Sequence, residues 1–196
     1  RTDATIGDSL DRFGEAVTAG IDYIAVGAPE TESGTGAVFI YFVDVAGDLN
    51  RRPAIRPSGL SSSANFGKSV VMSGNGRYLF VGAPGDNTIY TYTLVTIPGS
   101  SVAVDTITSD TTKVYSINFT PISQETLNVV DQNGKVYLPN KDFTLSGSSQ
   151  ITFTANPANL LQIVVRQQDY FALSDTITPF DSMSGDNYGY SIDCDY

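Results

Sequence analysis

A six-residue phrase that occurs twice constrains this chain more than any other feature. Ile24-Ala25-Val26-Gly27-Ala28-Pro29 returns as Leu79-Phe80-Val81-Gly82-Ala83-Pro84. Each copy follows a Phe-Gly pair: Phe13 lies 14 residues before Gly27, and Phe66 lies 16 before Gly82. Asp22-Tyr23 leads into the first copy and Arg77-Tyr78 into the second. A period of about 50 residues predicts a repeat architecture, in which each copy is one supersecondary unit that needs neighbours to bury its faces. The phrase itself reads as a strand. Residues 78–81 form a continuous apolar run, as expected for a strand covered on both sides. Gly and Ala follow, where neighbouring backbone must come close, and Pro ends the ladder because it has no N–H to donate. Two unrelated buried strands would share the apolar run but not the matching flanks.

The chain in order extends the match. Residues 14–19 are predicted as the first strand, 23–27 as the second, 37–43 as the third and 49–57 as a weaker fourth, with a polar loop over 29–36. Alternation puts Phe39 and Tyr41 on one face of the third strand and Val38, Ile40 and Phe42 on the other. Arg51, Arg52, Pro53 and Pro57 suit an exposed sheet edge. The second unit begins at Phe66-Gly67, with a strand over 68–73 and a hairpin signal at Asn75-Gly76. Residues 87–94 pair position by position with 36–43. There the register breaks. Residues 49–67 align without gaps on 171–189: Ile55-x-Pro57 falls on Ile177-x-Pro179, and Asn65-Phe66-Gly67 on Asn187-Tyr188-Gly189. The expected organisation is therefore 1–96 as two units, the second lacking its last strand, 97–168 as an inserted β domain, and 169–196 as that last strand and the start of a third unit.

The run Asp11-Arg12-Phe13-Gly14-Glu15-Ala16-Val17, then Val26-Gly27-Ala28-Pro29, then Gly36-Ala37-Val38-Phe39-Ile40-Tyr41 resembles the FG-GAP repeat family. That family is known from the seven-bladed propeller heads of integrin alpha chains and from many bacterial and phage surface proteins. The resemblance covers about 120 residues in two pieces and implies four-stranded blades around a central axis. The fold class expected is thus all-β: a partial β-propeller carrying an inserted small sandwich or barrel.

Residues 97–168 read as about six strands. Tyr115, Ile117 and Phe119 alternate with polar positions, as do Ile151 and Phe153, and Leu161, Ile163 and Val165. Asp131-Gln132-Asn133-Gly134 is a hairpin turn between 127–130 and 135–138. Asn128 to Gly134, then Lys141-Asp142-Phe143-Thr144, Ile151-Thr152-Phe153 and Asn156-Pro157, resemble small domains near the attachment end of podovirus tail fibres, with Phe143 where those carry Tyr.

Composition agrees and excludes several function classes. Apolar residues make up 41%, with 11 Tyr and 10 Phe, enough for a sizeable core, and long 3.6-period runs are missing. No apolar run approaches the 18 residues of a membrane span. There is no initiator Met and no signal-peptide pattern, and Arg1 begins mid-phrase, so the chain reads as a piece of something longer. The net charge of −10 argues against non-specific nucleic-acid binding, which needs Lys and Arg on phosphates. Four bases and five acids in 97–168 leave −9 for the rest, and 169–196 hold six Asp and no base. Such charge reads as a solvated surface, with a divalent-cation surface as the sharper alternative.

Catalytic chemistry finds few candidates. With no His in the chain, a Ser-His-Asp triad, Cys-His catalysis and His-based zinc sites are all out. No Gly-Lys-Ser/Thr phosphate loop occurs, and no apolar pocket is evident around a carboxylate pair of glycosidase type. Cys194 is single, so no internal disulfide forms; it is expected as a small core residue in a strand. Integrin-type blades carry an Asp-x-Asp-x-Asp-Gly calcium loop between their first two strands. The turns Ala19-Gly20-Ile21-Asp22 and Ser73-Gly74-Asn75-Gly76 are too short and too poor in acids, so calcium is not carried over. Glu30, Glu32 and Asp86, and Asp3, Asp8 and Asp11 before the first Phe-Gly, are read as polar loop residues.

These readings lead to a non-enzymatic structural and adhesion module with no catalytic, cofactor or metal residues. The resemblances imply a phage virion appendage at the virion or extracellular surface. Its implied partners are other copies, other virion proteins, or a host surface protein or glycan, without nucleic acid or membrane insertion. The alternative is a secreted bacterial cell-surface propeller; a glycan-cleaving enzyme is the third class. Two blades alone would leave two large apolar faces bare, so further blades or partner chains are expected to cover them.

Overall fold

The computed structural model describes residues 11–99, 103–158, 161–181, 183 and 185–194. Asp3 and Asp8 lie outside the described residues. The chain is all-β: among the described residues fifteen strands form four small antiparallel sheets in a propeller-like arrangement. The first sheet holds β1 (Ala16–Ala19), β2 (Tyr23–Ala28), β3 (Ala37–Val43) and β4 (Leu49–Arg51), in that order. The second holds β5 (Ser69–Met72), β6 (Tyr78–Ala83), β7 (Thr88–Val95) and β15 (Tyr170–Ile177), in the order β15-β7-β6-β5. Between β7 and β15 the chain builds the other two. One has the order β11-β10-β14-β8, from β8 (Val104–Thr108), β10 (Leu127–Asp131), β11 (Val136–Tyr137) and β14 (Gln162–Gln167). The other runs β12-β13-β9, from β9 (Val114–Ser116), β12 (Phe143–Ser146) and β13 (Gln150–Phe153).

The sequence repeat is a repeat of geometry. In β1–β2, Ala16 pairs with Gly27; in β5–β6, Ser69 pairs with Gly82. The amide of Gly14 donates to Gly27 O, and that of Gly67 to Gly82 O, both at 3.0 Å. The Phe-Gly turn recurs three times with one backbone shape. Arg12, Asn65 and Asn187 have φ of 51°, 53° and 54°, and Gly14, Gly67 and Gly189 follow at 92°, 92° and 84°. In each copy the residue after Gly donates back across the turn at 3.0 Å: Glu15 to Arg12, Lys68 to Asn65, Tyr190 to Asn187. Two left-handed positions separated by one residue suit Asn-x-Gly and cost most other residues about 1–2 kcal/mol each.

The second and third of these turns also seat on the unit before them. A Cβ on Gly27 would lie 2.0 Å from Gly67 O, and one on Gly82 would lie 1.9 Å from Gly189 O. The glycine of each Gly-Ala-Pro phrase therefore receives the Phe-Gly or Tyr-Gly turn of the next unit. Phe66 is consequently fully buried between the first two sheets, whereas the equivalent Phe13 is 44% exposed. Each keeps its partner on the third strand, Phe13 on Phe39 at 5.6 Å and Phe66 on Tyr90 at 5.3 Å. Burying one such side chain contributes about 1.5–3 kcal/mol.

The first two sheets share one core. Tyr23, Ala25, Val38 and Ile40 from one face the repeat-equivalent opposite side of the other, Leu79, Val81, Ala83 and Tyr92. The second core lies inside the remaining two sheets, with Leu127, Val129, Ile163 and Val165 against Phe143, Ile151 and Phe153. Among the described residues these sheets have seven strands rather than about six, and the expected Asn133-Gly134 hairpin is formed by β10 and the short β11.

Several expectations are corrected. The outer face of the first sheet is not bare: Phe39 and Tyr41 pack with Ala54 and Leu138 and are 2% and 5% exposed. On the second sheet, Tyr78, Leu173 and Ile177 are exposed. The strand predicted over 14–19 begins at Ala16, since the left-handed Gly14 still belongs to the turn. The strand predicted over 49–57 stops at Arg51 and rejoins only as a bridge between Val38 and Ile55. Pro53 has no N–H to continue the ladder. The polar loop before β3 is a tight turn with Glu32 and Ser33 left-handed and Thr31 and Thr35 buried. Cys194 is not in a strand; it is half-buried, with its thiol 3.7 Å from Met72 O.

Candidate functional site

The break at Pro53 creates the candidate site. Residues 53–58 leave the first sheet and run past β7 and β15, and the loops at Ser123–Glu125 and Pro139–Asn140 close the far side. The cavity, partly open to solvent, has a volume of about 540 Å³, within the range of small-molecule pockets. Its position is fixed from both ends. Val38 and Ile55 exchange backbone hydrogen bonds of 3.1 and 2.8 Å. Asn140 Nδ2 donates to Arg56 O at 3.0 Å, tying the far wall to the near one.

The walls combine aromatic surface with polar groups. Tyr90 and Tyr92 from β7 and Tyr170 and Phe171 from β15 supply the rings. Tyr92 is held by Phe66, edge-on at 6.3 Å. Burial pushes the Tyr92 hydroxyl well above its ordinary pKa. Burial also raises that of Tyr90, with the Asp86 charge adding to it. Both are neutral hydroxyls at physiological pH. Three lining residues carry a buried polar atom without a hydrogen-bond partner: the Tyr92 hydroxyl, Arg56 Nε and Ser123 Oγ. These three atoms are enclosed by protein and do not open onto the cavity; a buried polar atom left unpaired costs about 1–3 kcal/mol.

The carboxylates singled out in the sequence are spread among structural tasks. Glu32 accepts an ion pair from Lys141 at 2.8 Å and from Arg56 at 4.0 Å, so it braces the loop before β3 against both 53–58 and the turn before β12. Asp86 Oδ2 accepts the Ser61 amide at 3.2 Å. Glu30 accepts the Gly34 amide through its carbonyl at 3.2 Å, and Asp11 accepts the Glu30 amide at 3.3 Å in the same way. Among the described residues no three acidic, Cys or His side chains stand together as a metal site. The two turns compared with calcium loops lie against each other: a Cβ on Gly20 would sit 2.7 Å from Gly76 Cα.

Sequence reasoning missed the cavity. Tyr90, Tyr92, Arg56, Ser123 and Asn140 come from four stretches far apart in the chain, and each alone reads as sheet or loop. The available signal was the pair Pro53 and Pro57, which removes two ladder donors and forces the segment away from the sheet. Comparison with protein-family models, curated proteins and solved structures finds no match for the chain.

Proposed function

We propose that this chain is a non-catalytic structural and adhesion module of a phage virion appendage. In this reading the first two sheets are FG-GAP-type blades of a β-propeller. Residues 97–168 are a small β-sandwich domain inserted between the third and fourth strands of the second blade. Its partners are other copies or other virion proteins, and a host surface protein or glycan; its place is the virion or extracellular surface.

One observation carries the reading: the Phe-Gly turn recurs three times with the same backbone, and two copies seat on the Gly-Ala-Pro glycine of the preceding unit. Such nearest-neighbour docking is how repeat scaffolds propagate. A non-catalytic role is supported by the absence of His from the sequence and by Glu32 and Asp86 serving as braces. Quantitative mass spectrometry of purified virions tests the proposal. The expected result is peptides of this chain at the copy number of a tail or capsid component. Peptides found only in a secreted or cell-surface fraction would overturn it in favour of a bacterial surface propeller.

A further inference from the structure

We propose that the groove between β4 and the outer face of the β10–β14 pair binds a tetrahedral oxyanion, a phosphate or sulfate group. The groove has a volume of about 380 Å³ and is lined by Asn50, Arg51, Asn128, Val130, Arg166 and Gln168. Two guanidiniums line it and no carboxylate does, in a chain with 21 acids against 11 bases. Among the described residues the ion pairs are made by Arg12, Arg56, Lys68 and Lys141, and neither groove arginine forms one. Asn128 fixes how the two arginines stand. It is 5% exposed, and its Nδ2 donates to Arg51 O at 3.2 Å and to Gln168 Oε1 at 3.1 Å. It is also the register partner of Arg166, which puts their Cβ atoms about 5 Å apart on one face of the sheet. The arginines therefore flank one buried amide from two different sheets. Arg51 lies over the Tyr41 ring at 5.9 Å, and Arg166 is exposed. Asp44 accepts from the Asn50 amide at 3.0 Å but is held in its own loop by the Ala46 and Asp48 amides. The number of oxygens selects the anion. One guanidinium fork satisfies both oxygens of a carboxylate, whereas two forks from opposite walls need the three or four oxygens of a phosphate or sulfate. The groove is larger than the bare ion and leaves room for the body of an ester.

This inference goes beyond the assembly reading and does not rest on it. A chain absent from virions could hold the anion, and a virion component could lack the site. The test follows backbone amide NMR shifts of the full chain at neutral pH and fixed ionic strength. Inorganic phosphate, sulfate and methyl phosphate are titrated, with acetate as the carboxylate control. Phosphate or sulfate is expected to bind saturably with a Kd on the order of 1 mM, with the largest shifts at Asn50, Arg51, Asn128 and Gln168. Methyl phosphate binding at least as tightly as phosphate assigns the group to an ester, and weaker binding assigns it to the free ion; either supports the site. Arg51→Gln and Arg166→Gln should each weaken binding about tenfold, because each removes a charge-assisted donor pair. Arg77→Gln, the same charge change on the exposed β5–β6 hairpin, should leave it unchanged. Failure of both phosphate and sulfate to bind saturably would overturn the proposal. So would shifts centred elsewhere, full affinity in either groove variant, equal weakening by Arg77→Gln, or tighter binding of acetate than of phosphate and sulfate.

Discussion

Gly27 and Gly82 hold the arrangement together by what they lack. The space that a side chain would fill is taken by a carbonyl of the next turn, 2.0 and 1.9 Å from the ideal Cβ position. That distance is far inside van der Waals contact, and the obstacle is backbone, which cannot rotate away. Gly27→Ala should therefore destabilise the protein by at least about 1–3 kcal/mol. Gly99→Ala, with nothing within 4 Å of its Cβ, should change stability by no more than about 0.5 kcal/mol. Urea unfolding of the two variants checks both numbers. The tyrosines make a second prediction at this scale. Tyr137 is pushed up from 10.0 to about 12 by burial, with the nearby Asp131 carboxylate adding to it. Burial raises Tyr23, Tyr41 and Tyr92 as well. In the unfolded chain these phenols ionise near their ordinary value, about 10. The folded state keeps them neutral. Their contribution is complete below pH 10 and is lost as pH rises through the folded values, toward about 12 for Tyr137. Melting temperature should fall steeply over that window, and tyrosinate absorbance should rise together with unfolding. Full tyrosine ionisation in a still-folded protein near pH 10.5 would contradict this.

At the scale of elements, the paired hairpin turns decide the metal question. Residues 19–22 and 73–76 pack glycine against glycine, which leaves no cage for a cation with 6–8 oxygen ligands. EDTA should leave the melting temperature unchanged. A fall of several degrees that calcium restores would show a ligand bound to the folded state alone. The sequence made the repeated strands legible because they carry a local pattern: apolar run, Gly-Ala, then Pro. Ile24 to Ala28 and Leu79 to Ala83 form β2 and β6 in matching register with β1 and β5. The match of 49–67 with 171–189 pointed to a strand at Phe171, and β15 begins there within a residue and pairs with β7. What stayed hidden depends on contacts between distant segments. Nothing local in Val136-Tyr137-Leu138 says that Leu138 will cover Phe39 and Tyr41. Nor does Ile55-x-Pro57 show that its strand breaks at Pro53 and opens a cavity lined by β7 and β15.

At the scale of the whole molecule, two larger cores and a smaller third one share one chain. The first holds the repeat sheets together and the second lies within the sheets of β8–β14. The two are tied by the third cluster, in which Leu138 and Val136 join Phe39, Tyr41 and Ala54, by the Lys141–Glu32 ion pair, and by side-chain amides of Asn128 and Asn140 donating to Arg51 O and Arg56 O. Asp169 ties the two crossings of the chain, accepting from the Ile97 amide at 2.6 Å and from the Tyr23 hydroxyl at 3.3 Å. Damage to the repeat interlock should therefore stay in the repeat sheets, because cooperative opening follows packed units. Native-state hydrogen exchange on the full chain, unmodified and with Gly27→Ala, measures this directly. Protection should drop in β1–β3, β5–β7 and β15 and persist in β10, β13 and β14. An equal loss in all four sheets, or no loss in the first two, would contradict a fold organised around glycine-seated repeat turns.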